Sequence, residues 1–133
     1  KSEIWLFAPL ITSMKIRIIE NSRIPSMLSW FINISAITIY PFIISRGEMD
    51  NVVINHELIH IKQQKELFVV GFYLLYAMFW MINLLWYRMD KSTAYRMIPF
   101  EIEAYYHQED FLYLQSRPRY AWTKNMPRKI SRS

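Results

Sequence analysis

Two early segments of the chain carry the hydrophobic pattern of β-strands. Apolar and basic residues alternate between positions 14 and 19, as they do in a strand with one buried face. Residues 29–45 are rich in Ile, Phe, Thr and Tyr, which favour extended structure. Pro41 lies within this second segment, which places it in an edge strand or at a strand end. The pattern predicts a small N-terminal β-sheet.

From Val52 onward the spacing of the side chains becomes helical. One face collects residues at intervals of three and four, namely Val53, His56, His60 and Gln64. Either Asp50 or Asn51 can cap the start of this helix, because both side chains accept hydrogen bonds from free N–H groups. The polar part of the pattern ends at Glu66.

An apolar segment of 21 residues follows at 67–87, and Asn83 is its only clearly polar side chain. This length meets the requirement of about 20 residues for crossing a bilayer. A buried hairpin of two short helices, with its bend at Gly71 or Asn83, fits the same residues, since Tyr and Trp occur throughout and not only at the ends. The sequence leaves both arrangements open. It predicts either a spanning or deeply inserted helix or a buried or interfacial one.

A further helix is predicted from Thr93 to about Leu114, broken near Pro99, which suits a first helical turn. From residue 117 the chain contains six basic residues and no acid, whereas residues 1–116 contain ten basic and eleven acidic residues. We therefore predict a single α+β domain at 1–116 and a loosely ordered basic C-terminal tail at 117–133. A short basic tail beside apolar segments is typical of a membrane-surface element, and we expect no nucleic-acid partner.

Composition excludes several kinds of site. The chain has no cysteine, which rules out disulfide frameworks, thiolate metal sites and thiol nucleophiles, and only two glycines, which argues against a phosphate-binding Gly-rich loop. At the N-terminus, Glu3 and Pro9 interrupt the apolar run and no small-residue cleavage site follows, so no signal peptide is expected.

The predicted helix after Val52 contains an HExxH motif, formed by His56, Glu57 and His60. Residues four apart share a helix face, so the two imidazoles can bind one metal ion. Zn²⁺ fits imidazole and carboxylate ligands best, and it lowers the pKa of a bound water to about 7. Glu57 lies about 100° round the helix from His56, where it can accept a proton from that water without being a ligand.

A catalytic zinc site needs a third protein ligand. No histidine stands at the HExxHxxGxxH spacing, so the metzincin pattern does not apply. The remaining candidates are a histidine and three carboxylates on the later helix: His107, Glu101, Glu103 and Glu109.

These motifs resemble those of the gluzincins, thermolysin-like zinc peptidases with HExxH on one helix and a glutamate ligand on a later one. That glutamate is commonly followed by a small residue, and Glu103-Ala104 matches this better than Glu101-Ile102. The resemblance therefore implies His56, His60 and Glu103 as metal ligands. It also implies a minimal zincin-like domain, although His107 stands where the family often has an acid that orients a zinc histidine.

Residues 30–115 also resemble small uncharacterised bacterial membrane-associated HExxH proteins, a similarity that implies no substrate. Two functions remain open. The first is a zinc-dependent hydrolase, a membrane-associated peptidase in which Glu57 is the general base, a sheet edge near the metal binds an extended peptide and Tyr105 or Tyr106 polarises the intermediate. The second is a non-catalytic subunit, bound to a membrane or a large apolar protein, with a structural or relic zinc site. Glu57 discriminates the two, because a structural site needs no base.

Overall fold

The computed structural model describes residues 4–28 and 35–126, which contain α-helices and one small sheet, in agreement with the predicted α+β class. The helices are α1 (Ala8–Ser13), α2 (Ile24–Leu28), α3 (Asn51–Glu66), α4 (Val70–Trp86), α5 (Lys91–Arg96), α6 (Pro99–His107) and α7 (Tyr113–Ser116), with 3-10 helices at Ile4–Phe7 and Ala121–Asn125.

The predicted N-terminal sheet is present and has three strands, β1 (Arg17–Ile19), β2 (Ala36–Ile39) and β3 (Phe42–Ser45). β3 is central, pairing in parallel with β1 and antiparallel with β2. A cis Tyr40–Pro41 bond lies in the hairpin between β2 and β3, so the proline is at a strand end as predicted. β2 is left as an edge strand. Positions 29–34 of the predicted second strand segment lie outside the described residues.

Helix α3 passes through the middle of the domain. Asp50 caps it by accepting a hydrogen bond from the Val53 N–H at 2.9 Å, which confirms one of the two predicted caps. The helix packs against β2, α4 and α6, and it buries apolar and polar residues alike. Its buried polar side chains are Asn55, His56, Glu57, His60, Gln63 and Gln64. Because burying unpaired polar groups costs free energy, each of these side chains needs a partner on the elements that pack against α3.

The predicted apolar segment folds as a 17-residue helix, α4, set at 111° to α3. The bend lies at Phe68 and Val69, both with positive φ, and not at Gly71 or Asn83 as the hairpin interpretation expected. The Val70 N–H donates to the Phe68 carbonyl at 2.6 Å, which closes a γ-turn centred on Val69. Within the described ranges no single helix has the length and composition to cross a membrane, although α3 and α4 together do as a bent pair.

The predicted helix at 93–114 divides into α5, α6 and α7. Asp90 caps α5 through the Thr93 N–H, and Pro99 stands in the first turn of α6 as predicted. α6 lies between α3 and the C-terminal 3-10 helix, so it can present side chains to both.

Residues 117–126 belong to the packed domain, so the predicted boundary at residue 116 does not separate a tail from it. Trp122 is 7% exposed and packs in an aromatic cluster against Phe72, Phe79 and Phe100. Burying the Trp122 ring removes a large apolar area from water, and this gain in free energy is enough to hold the segment on the domain. The neighbouring basic side chains can still remain in water. The remainder of the predicted tail, 127–133, lies outside the described residues.

Candidate metal centre

His56 and His60 point at the same spot, as their spacing on α3 predicts. Their Nε2 atoms are 3.1 Å apart, and the two residues are 6% and 5% exposed. Polar side chains this well buried need hydrogen-bond or ionic partners inside the protein. The pair of nitrogens therefore defines the centre of the site.

Glu101 brings a carboxylate from α6 to this centre. Its Oε1 lies 3.2 Å from Nε2 of His56, and its Oε2 lies 3.1 Å from Nε2 of His60. Glu101 is 2% exposed, and the ligand atoms of the three residues all lie within 4.8 Å of one another. These three side chains form a buried group that could hold a metal ion.

The structure does not bring Glu103 to the histidines, contrary to the assignment that the family resemblance implied. The Glu103 carboxylate binds Arg117 instead, with its Oε2 2.7 Å from Nε and its Oε1 3.0 Å from Nη2. Residues two apart on a helix point about 200° away from each other, so only one of Glu101 and Glu103 can face α3. The small residue after Glu103, Ala104, is fully buried in the helix packing and does not mark a ligand.

The other two candidates for the third ligand lie away from the centre. The ring of His107 stacks on Tyr113 with centroids 3.6 Å apart, and Glu109 is exposed at the end of α6. Glu101, one of the candidate carboxylates on the later helix, is the one that completes the group.

Gln63 fixes the orientation of His60. Its Nε2 donates to the Phe100 carbonyl at 3.1 Å, so its Oε1 must face His60 and lies 2.8 Å from Nδ1. Because an amide oxygen can only accept, Nδ1 of His60 must carry a proton. In the neutral imidazole the lone pair is then on Nε2, directed at Glu101.

His56 has a comparable support on its other side. Its Nδ1 lies 3.0 Å from Oε1 of Gln108, just beyond the end of α6. Asn55, the neighbour of His56, donates to the carbonyls of this same loop at distances from 2.8 to 3.2 Å, with His107, Gln108 and Asp110 as acceptors. Residues of α3 thus hold the end of α6 in place, and α6 in turn holds Glu101.

The donor set fits a cation. With both Nδ1 atoms engaged by amide oxygens, two Nε2 lone pairs and a carboxylate converge within about 3 Å, and such a group repels itself unless it shares a proton or a metal ion. Burial alone lowers the pKa of His60, but the Glu101 charge and hydrogen bonds outweigh it and raise this pKa to about 9. Conversely, the two histidines hold the pKa of Glu101 well below its usual range despite burial.

Glu57 lies on the same helix but does not join the group. Its Oε2 accepts a hydrogen bond from the hydroxyl of Thr38 on β2. The Thr38 carbonyl in turn accepts from Nε2 of Gln64, at 2.7 Å, and from the hydroxyl of Tyr73. These hydrogen bonds fix the position of the Glu57 carboxylate relative to β2. Glu57 therefore lies beside the group of three and not within it, as predicted.

Two clefts meet at Glu57, with volumes of about 140 and 170 Å³. His60 and Glu101 line the first, together with Phe72 and Tyr76 of α4, and His56 lines the second. Ala36, Glu57 and Tyr95 line both. Two adjoining clefts beside β2 therefore border the candidate metal centre, and we call them together the groove.

Tyr105 and Tyr106, the two tyrosines predicted as candidates for polarising the intermediate, lie in different surroundings. Tyr105 lines the second cleft and packs edge-on against His56, whereas Tyr106 is 82% exposed. Tyr95, which lies at the junction of the clefts, and Tyr76, which donates to Oε2 of Glu101 at 2.9 Å, were not predicted. The periodicity of α3 could not identify them, because Tyr76 lies on α4 and Tyr95 lies on α5.

Comparisons of the chain with protein-family models, with curated proteins and with solved structures gave no match.

Proposed function

We propose that the protein is a zinc-dependent hydrolase that cleaves peptide bonds. One observation carries this proposal: the Glu57 carboxylate stands at the junction of two clefts that reach His56, His60 and Glu101, and it is not part of that group. A site that served only to stabilise the fold would need neither a groove nor a spare carboxylate.

Zinc is the metal that this donor set favours, since two imidazoles and a carboxylate are the usual ligands of catalytic zinc. Zinc, when bound, supplies a Lewis acid that polarises a carbonyl group and makes water more acidic. Gln63 and Gln108 hold the imidazoles with their Nε2 lone pairs turned inward, and Tyr76 holds the Glu101 carboxylate. The ligands are therefore oriented before the metal arrives.

Glu57 is the proposed general base. Thr38 occupies one of its oxygens, Oε2, and among the described residues no hydrogen-bond donor contacts the other. That oxygen can accept a proton from water as the water attacks a carbonyl, and later return it to the leaving amine. Thr38 keeps the carboxylate from rotating away from the groove.

The free edge of β2 offers a place for an extended peptide. The Thr38 carbonyl and the Tyr40 N–H point away from β3, because both bind the side-chain amide of Gln64, at 2.7 Å each. By strand alternation the N–H of Thr38 and both backbone groups of Ala36 face the same way. Gln64 and Tyr73 already occupy the Thr38 carbonyl, so a peptide can pair only with the two backbone groups of Ala36 and the N–H of Thr38.

The resemblance to gluzincins supports the same proposal once Glu101 replaces Glu103 as the third ligand. The order of parts is then HExxH on α3, the glutamate on α6 and an edge strand beside the metal. The zincin-like character of the domain is proposed on this arrangement together with the motif.

The test combines metal analysis with peptide cleavage. Purified protein should contain about one zinc per chain, and it should cleave a member of a peptide library rich in apolar residues, since Phe72, Tyr73 and Tyr76 line the first cleft. The variant Glu57→Gln should keep its zinc and lose activity by about a hundredfold or more. Glu109→Gln is the matched control, because Glu109 is exposed and outside the site. Equal cleavage by wild type and Glu57→Gln contradicts the proposal, and zinc binding without cleavage of any peptide favours the non-catalytic subunit.

A further inference from the structure

Helix α4 has one face that the described part of the protein does not cover. Its large apolar side chains recur along this face at intervals of three and four: Val70, Leu74, Met78, Met81, Ile82 and Leu85. Leu85 is 80% exposed, and Phe68, in the turn before the helix, is 88% exposed. We call these seven residues the α4 face. An apolar stripe of this length is typical of a surface that meets another apolar phase.

The opposite side of α4 is held by the protein. Phe72 and Phe79 pack in the aromatic cluster with Phe100 and Trp122, and Asn83 donates to the Ala94 carbonyl at 3.0 Å. A helix anchored along one side over its whole length lies on the domain surface. Its exposed face is therefore presented broadside and not end-on.

Basic residues stand at both ends of the α4 face. Lys62, Lys65 and Arg119 line a shallow cavity near its start, and Arg88 is exposed just past its end. At the start of the face, Lys62, Lys65 and Arg119 come in addition to Arg117, which is paired with Glu66 and Glu103. At its end, Arg88 and Lys91 outnumber Asp90, which carries its charge as the cap of α5. No acidic residue lies between Glu66 and Asp90 in the sequence. The surface is apolar along its middle and positive at its two ends.

From this arrangement we propose that the α4 face docks flat on a membrane surface that contains anionic lipids. Apolar side chains enter the boundary between headgroups and acyl chains, while the flanking cations bind the lipid phosphates and carboxylates. Trp86, 74% exposed at the end of the helix, suits the same boundary region.

The charges argue against a second copy of the chain as the partner. Consider two copies that pack through the α4 face. If the two α4 helices ran antiparallel, Arg88 of one copy would lie against Lys62 and Lys65 of the other copy. If the two helices ran parallel, each basic end would lie beside the same basic end of the other copy. Each end keeps a net positive charge after Glu66 and Asp90 are counted, so two positive ends would meet in either case, whereas an anionic bilayer complements both ends at once.

This docking also narrows the substrate class, a step that rests on the proposed function. Phe72, Tyr73 and Tyr76 of α4 line the cleft that holds His60 and Glu101, so one helix forms both the membrane contact and a wall of the groove. The substrate of a docked enzyme is then a peptide segment that lies near the lipid surface.

Vesicle sedimentation tests the docking independently of zinc binding and of peptide cleavage. The Glu57→Gln variant and the metal-free protein should therefore bind vesicles as the wild type does. The full chain should bind phosphatidylcholine vesicles containing about 30% phosphatidylserine at least tenfold more tightly than pure phosphatidylcholine. Leu74→Gln combined with Met81→Gln and Leu85→Gln should abolish binding to both. Met27→Gln, at an exposed methionine of α2, should leave it unchanged.

Removing charge should act only on anionic vesicles. Each of Lys65→Gln, Arg88→Gln and Arg119→Gln should weaken binding by about fivefold, whereas Arg23→Gln, far along the chain on another exposed surface, should have no such effect. Equal binding to both vesicle types, or none, overturns the proposal. So does a dimer that forms without lipid and disappears in the triple apolar variant.

Single cysteines test the flat orientation, and the chain has no native cysteine to interfere. An environment-sensitive dye at Leu74 or Leu85 should report the same shallow depth, and a dye at Met27 should stay in water. An upright helix would separate Leu74 and Leu85 by about 16 Å in depth. A difference in depth of that size would overturn flat docking. Failure of either lipid test would not affect the hydrolase proposal, which is tested separately by zinc analysis and peptide cleavage.

Discussion

The guanidinium of Arg117 binds the carboxylate of Glu103 through two hydrogen bonds, from Nε at 2.7 Å and from Nη2 at 3.0 Å. A second acid, Glu66 of α3, lies 2.8 Å from the same guanidinium. The ion pair links the segment after α7 to both α3 and α6. It also leaves Glu101, on the opposite side of α6, as the carboxylate that faces the histidines.

The two glutamates of α6 should respond differently to the same substitution. Glu101→Gln should reduce zinc binding by at least a hundredfold, because it replaces a charged ligand, while Glu103→Gln should keep about one zinc per chain. Glu103→Gln should instead lower the free energy of unfolding by about 2 kcal/mol, since it breaks a buried ion pair. Zinc titration and urea unfolding of both variants measure the two effects. Retention of full zinc affinity by Glu101→Gln would mean that the ligand set is wrong.

Gln63 should tune metal affinity without being a ligand. Gln63→Leu removes the acceptor that fixes Nδ1 of His60, and zinc should bind about 10- to 100-fold more weakly. Gln64→Leu is a matched control, because Gln64 is the adjacent residue, is equally buried and contacts β2 instead of a histidine. It should lower stability and leave zinc affinity nearly unchanged. Equal losses of affinity in the two variants would show that Gln63 has no specific role.

The metal-free protein should lose stability as the pH rises from about 6.5 to about 9. The pKa of His60 is raised to about 9 in the folded chain from 6.5, so its proton stabilises the fold fully below pH 6.5 and no longer does so above pH 9. The loss should be on the order of 3 kcal/mol. Denaturant unfolding with a chelator present, repeated across this range, measures it.

Two controls accompany the pH series. Zinc-loaded protein should lack the loss between pH 6.5 and 9, because a bound imidazole is already deprotonated. His107→Gln should retain it, because burial lowers the pKa of His107 and moves its titration below this range. A flat profile in the metal-free wild type would contradict the charge assignment at the centre.

The corner between α3 and α4 should be improvable by one glycine. Val69 has φ 62° and ψ −59°, a conformation that costs a β-branched residue of the order of 1–3 kcal/mol. Val69→Gly should therefore raise the free energy of unfolding by about 1 kcal/mol after the entropic cost of glycine. Val70→Gly, one residue later at the exposed start of α4, should lower it by about the same amount. Opposite signs in urea denaturation confirm the strained turn, and a loss in both variants contradicts it.

Local patterns were enough to find the parts of the fold. Alternating and β-branched residues predicted the sheet, and the spacing of Val53, His56, His60 and Gln64 predicted α3 and its cap. The length of the apolar segment, in contrast, did not reveal where the chain turns. The turn at Phe68 and Val69 has no glycine, and it is closed by hydrogen bonds from the Val69 N–H to the Gln64 carbonyl and from the Val70 N–H to the Phe68 carbonyl.

By itself, the sequence determined which donor groups α3 contributes to the candidate site. HExxH fixes two imidazoles and a carboxylate on one helix, because four residues span about one turn whatever lies around them. Which glutamate completes the group was decided only by the tertiary structure. Glu101 and Glu103 have nearly the same local sequence context, and the choice depends on the rotation of α6 about its axis. That rotation is set by partners distant in the chain, Arg117 on one side and Asn55 with Gln63 on the other, and no local pattern encodes such contacts.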